Sequence, residues 1–109
     1  VQVHYANLRA KNFDVGDGGW VADYNDAKTY LYLMETKTGP QNYAGYSNPE
    51  YDRLMAESDF EPDATRRGEI LSSAEQLMLN EAPVCTSVFI NSLNLVHPDL
   101  TGYEDNLED

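Results

Sequence analysis

Basic residues are scarce in this chain. Seven Lys and Arg stand against nineteen Asp and Glu, which leaves a formal net charge of −12 over 109 residues. Such an excess repels a phosphate backbone and offers no basic patch to neutralise one, which excludes nucleic acid as a partner. Histidine is almost missing as well. His4 and His97 lie at opposite ends, neither with a Cys or His at ligand spacing, so no metal site and no cofactor is expected. With one cysteine, Cys85, an internal disulfide is impossible. Its apolar neighbours Val84, Val88, Phe89 and Ile90 predict a small core residue rather than a reactive thiol. No apolar run comes near the ~20 residues of a membrane-spanning helix. The chain opens without the charged-then-apolar pattern of a signal peptide, as expected of a mature protein, an intracellular one or an excised piece.

Several chemistries fail on spacing. A calcium loop begun at Asp23 needs glycine at its sixth place and a carboxylate at its twelfth, and meets Lys28 and Met34 there. Gly16-Asp17-Gly18-Gly19 lacks the lysine and hydroxyl of a phosphate-binding loop. No G-x-S-x-G elbow is present. Pairs of carboxylates can always be chosen from nineteen acids, so their existence does not argue for catalysis. The chain is read as a non-enzyme.

The apolar pattern predicts an α/β or α+β order of strand, three helices and strand pair. Weak alternation over Val1 to Leu8 suggests a strand, and Phe13 to Val15 a second short one cut off by glycines. Asn25 or Asp26 caps a first helix with Ala27, Tyr30, Leu31 and Met34 on one face, ended by Gly39-Pro40. Ser47 and Glu50 have capping-box spacing for a second helix, with Pro49 in its first turn and Tyr51, Leu54 and Met55 as its buried stripe. Pro62-Asp63 opens a third, in which Ile70, Leu71, Ala74, Leu77 and Met78 keep one face apolar to about Glu81, and Pro83 stops it. Val88 to Ile90 and Leu93 to Val96 then suggest the strand pair, followed by an acidic tail. These strands are too few for a satisfactory sheet, so partner strands are expected outside this chain.

What the chain does have is tyrosine, eight in all, six of them from Tyr24 to Tyr51 inclusive. Amphipathic rings of this kind line ligand sites or cover core edges. Asp23, between Trp20 and Tyr24, is placed where a carboxylate wants a cation: a ligand ammonium, an internal Lys or Arg, or a helix terminus.

Three stretches then carry a resemblance. Trp20-Val21-Ala22-Asp23-Tyr24, Tyr46-Ser47-Asn48-Pro49-Glu50-Tyr51-Asp52, and Glu75-Gln76 leading to Ala82-Pro83 follow one another as in the C-terminal part of the family 5 extracellular solute-binding proteins. These are the oligopeptide-, dipeptide- and nickel-binding receptors of ABC importers, and the chain resembles them from Phe13 to Tyr103. The resemblance implies a two-lobed, type II-like periplasmic binding protein of which this chain is a C-terminal fragment, the remainder of the receptor being a partner. Residues 1–91 would belong to the C-terminal ligand-binding lobe, and 92–109 to a strand crossing back towards the N-terminal lobe, near Asn91 to Leu95, and the acidic tail.

It implies further that Asp23 binds the α-ammonium of a short peptide, with Trp20 and the Val21 backbone on the cleft wall, Ala22 and Tyr24 as further ligand-binding residues, and backbone groups pairing with the extended peptide. The receptor would sit in the periplasm, or at the cell surface as a lipoprotein, and deliver its load to a membrane permease. Asp17 departs from the family, standing where some oligopeptide receptors carry a basic residue for the ligand's carboxylate, with no substitute nearer than Arg9. The ligand class therefore stays open between peptide and a nickel complex, sugar or opine. The rival readings are a free-standing acidic protein–protein adaptor docking through its tyrosines, and an enzyme using Cys85.

Overall fold

A computed structural model describes residues 1–89 and 95–103. Its centre is a pair of helices, α3 (Pro49–Phe60) and α4 (Ala64–Glu81), preceded by α1 (Gln2–Arg9) and the four-residue α2 (Lys28–Leu31). Asn48 is extended, as a residue before proline tends to be, and its side chain accepts the Glu50 and Tyr51 amides at 2.9 and 3.4 Å. The cap of α3 is therefore Asn48, not the expected Ser47, whose hydroxyl lies 2.9 Å from that of Thr36. Asp63 caps α4 through the Arg66 amide at 2.8 Å, as its position before the apolar stripe suggests. The helix stops at Ala82, which takes a left-handed φ of 50° and donates its amide to Met78 and Leu79 just ahead of Pro83.

Between these helices lies the main core. Tyr51, Met55, Leu71, Ala74 and Met78 are buried together with Leu31 of α2, and Met34, Tyr46, Leu54, Leu77 and Val84 close its rim. Ile70 is also buried. The expected stripes of both helices are thus the faces that pack. Burying side chains of this size stabilises by about 1.5–3 kcal/mol each, which is what holds the flanking polar segments in place.

Three expectations are corrected. Residues 2–9 form α1, not a strand: Tyr5 and Leu8 fall on one helical face, Leu8 is buried, and a Cβ on Gly16 would come within 2.6 Å of it. Phe13 to Val15 is likewise irregular. The helix expected from Ala27 to Gly39 survives only as α2, followed by 3₁₀ turns at Tyr32–Met34 and Thr36–Gln41. Its ladder breaks at Glu35, which is extended, and the Thr36 amide and hydroxyl both donate to the Asp52 carboxylate, at 2.9 and 2.6 Å. A side-chain acceptor has displaced the helical one. Gly39, at φ 69° and ψ −122°, completes the break.

Cys85 is exposed rather than in the core, because only Val84 still packs once the chain has turned at Ala82 and Pro83. No strand occurs among the described residues, and Val88, Phe89, Leu95 and Val96 have no regular structure. The rest of the expected strand pair and of the crossing, residues 90–94, and the acidic tail at 104–109 lie outside the described residues. The radius of gyration is 17.0 Å and the extents 54 × 41 × 20 Å, against about 13 Å for a compact chain of this length.

Candidate functional site

Trp20 to Tyr24 has no helix or strand of its own; what places it is its neighbour α2. Four residues cannot hold a helix unaided. Asp26 starts it by accepting the Lys28 amide at 2.8 Å, and Arg67 of α4 grips the same carboxylate with two nitrogens, at 2.6 and 2.9 Å. Lys28 pairs in turn with Asp59 of α3. At the other end the buried Tyr51 hydroxyl donates to the Leu31 carbonyl at 2.7 Å. Arg67's hydrogen bonds, opposed by partial burial, hold the Asp26 carboxyl below the ordinary aspartate range.

Asp23 is treated differently. Its amide donates to the Thr29 hydroxyl at 2.9 Å, and Thr29 is completely buried. Its carboxylate is exposed and has no hydrogen bond or ion pair among the described residues. Arg67 is committed instead to Asp26, 41 residues away along the chain. No spacing signals that pairing, and neither Arg67 nor Thr29 stands out in the sequence.

The rest of the predicted wall is assembled unevenly. Trp20 is half-buried and meets Tyr32 edge to face, ring centres 5.9 Å apart at 73°. Its indole N–H is buried without an acceptor among the described residues, an omission that costs about 1–3 kcal/mol. Burial, then the charge of Asp23, raise the Tyr32 phenol above its ordinary value. Val21 and Tyr24 are exposed, and Ala22 is intermediate. Ala22 and Tyr24 share a shallow cavity of about 260 Å³ with Asn25, Asp26, Ala27 and Tyr30. Asp17 offers a backbone carbonyl to His4, whose Nε2 is 2.7 Å from it, and Arg9 makes no ion pair among the described residues.

The second motif is structural throughout. The Tyr46 hydroxyl and the Asn48 amide both donate to Glu81 Oε2, at 2.5 and 2.9 Å, which ties the end of α4 to the start of α3. Asp52 takes Thr36, and Tyr51 takes Leu31. Among the described residues no three His, Cys, Asp or Glu side chains come together as a metal site, and no helix is long and apolar enough to cross a membrane.

No family model matches the chain. It is 33% identical over 100 residues to the oligopeptide-binding protein OppA of Bacillus subtilis, covering 92% of this chain and 18% of that protein. It is 34% identical over 95 residues to the periplasmic murein peptide-binding protein MppA of Escherichia coli, covering 87% and 18%. Among solved structures it superposes on the unliganded open form of the murein tripeptide binding protein MppA with a TM-score of 0.71 and 30% identity, over 75% of this chain and 16% of that one. The chain thus spans less than a fifth of the length of the relatives it matches. The agreement in sequence over most of the chain, and in fold over three quarters of it, makes this chain a member of the family 5 extracellular solute-binding proteins, matching one segment of them.

Proposed function

We propose that this chain is a C-terminal segment of a periplasmic receptor that captures short peptides by their free amino terminus and hands them to the permease of an ABC importer. Residues 1–91 then belong to the C-terminal, ligand-binding lobe, and 92–109 lead back towards the N-terminal lobe. Asp23 holds the peptide ammonium, Trp20 and Val21 form the cleft wall, and Ala22 and Tyr24 flank it.

The observation that carries this reading is the Asp23 carboxylate, without a partner among the described residues, on a backbone fixed by Thr29, while Arg67 is spent on Asp26. The acceptor-less indole N–H of Trp20, three residues earlier, supports it, since a ligand or a facing lobe can supply the missing acceptor. The expanded, flat shape suits a piece packed against further chain. Desolvating an ammonium beside Asp23 is favourable only when both charges are met, so blocked amino termini are rejected.

Calorimetric titration of the full-length receptor with a pool of short peptides, beside the same pool N-acetylated, tests this. The expected result is binding of the free pool alone. Equal binding of both would remove Asp23 from ammonium recognition, and binding of neither would move the ligand to another class of solute.

A further inference from the structure

Asp23 sits on irregular chain, where a carboxylate ordinarily samples many positions. A side chain that must meet a ligand charge gains from being held beforehand. We infer that Thr29 is a positioning residue for ligand binding, acting through the hydrogen bond that its hydroxyl accepts from the Asp23 amide; the inference rests on the reading of Asp23 given above.

Three observations carry it. Thr29 is 0% exposed, and its hydroxyl reaches the Asp23 amide at 2.9 Å across six residues. Thr29 lies on α2, which is fastened on two sides: Asp26 to Arg67 of α4, and Lys28 to Asp59 of α3. The Thr29 amide is itself bonded to the Asp26 carbonyl at 3.1 Å, so the fastening and the contact to Asp23 are adjacent. The outcome is a rigid path from the helical pair to the backbone of Asp23 that leaves its carboxylate untouched. A buried hydroxyl in this place also satisfies the amide of a residue that no helix or strand would satisfy.

A double-mutant cycle in the full-length receptor tests this, with trialanine as the probe and affinity read by calorimetry. Thr29→Val removes the acceptor at nearly constant volume and is expected to weaken trialanine about tenfold, the scale of one lost hydrogen bond. In an Asp23→Ala background the same change is expected to cost less than about twofold, because its route to the ligand is gone. Thr29→Ser, which keeps the hydroxyl, is expected to stay within about twofold of the parent, and Thr29→Ala serves if the valine variant does not fold. An equal loss from Thr29→Val in both backgrounds, or a lowered melting temperature with affinity intact, would overturn the positioning role while leaving Asp23 as the ligand residue. An unchanged affinity in Asp23→Ala itself would overturn the reading of Asp23 and the inference with it.

Discussion

The packed helices and the irregular chain leading into α2 treat their carboxylates in opposite ways. On the helix side, Asp26, Asp52, Asp59 and Glu81 each meet a partner from a distant part of the chain. On the approach side, Asp14, Asp17 and Asp23 have no hydrogen bond or ion pair to their carboxylates among the described residues. Only Tyr24 and Asn25 separate Asp23 from Asp26, so composition cannot account for the difference. It lies in which carboxylate the helical pair can reach. A paired carboxylate is committed to the fold, because losing its partner leaves a charge without compensation. An unpaired one on a fixed backbone is free to meet a charge from outside.

The contrast can be broken at several strengths. Met55, wholly buried between α3 and α4, is expected to cost about 2–5 kcal/mol of stability when changed to alanine. Thermal unfolding of the receptor reads this loss, with the preference for free over acetylated peptides retained. Arg67→Met probes the fold side more finely, since it removes the grip on Asp26 and leaves the main core in place. The pair is partly solvated, which sets the expected loss at about 1 kcal/mol at pH 7.

The pH dependence of that loss has a definite sign. The folded-state pKa of Asp26 is depressed, chiefly by Arg67, so its contribution is fully present above the ordinary aspartate value and disappears as pH falls through the depressed one. Urea unfolding across pH 7 to pH 2 is expected to show the gap between parent and Arg67→Met closing below about pH 4. A gap that stays constant would show that the pair does not stabilise through charge. The smallest effect is expected at Ala82, whose left-handed φ of 50° strains a residue with a Cβ. Ala82→Gly is expected to raise stability by about 0.5–1 kcal/mol without touching ligand affinity.

Which parts of this could be read from sequence follows from the range of the interactions. The stripes of α3 and α4, the proline in the first turn of α3, the Asp63 cap and the stop at Pro83 are local patterns, and each stands in the structure. Asp26 as the start of α2 was local too, through the Lys28 amide. The long first helix failed because Asp52, sixteen residues on, takes the Thr36 amide and hydroxyl. At residues 2–9 a two-residue alternation in so short a run is outweighed by Leu8 packing at Gly16. Arg67 and Thr29 were invisible for the same reason as Asp52: their partners are chosen by the packing of α4 and α2, not by spacing. The motif Tyr46 to Asp52 carried the resemblance, and its side chains turn out to hold helices together.

The most direct test of the account is to change Asp23 to alanine in the full-length receptor and to measure peptide affinity and melting temperature on the same preparation. The account predicts a loss of affinity of about 100-fold or more, as for truncating one partner of a desolvated charge pair, with the melting temperature essentially unchanged because the carboxylate has no hydrogen bond or ion pair among the described residues. Affinity within about twofold of the parent, or a melting temperature that falls as it does for Arg67→Met, would place Asp23 with the structural carboxylates and contradict the division on which the account rests.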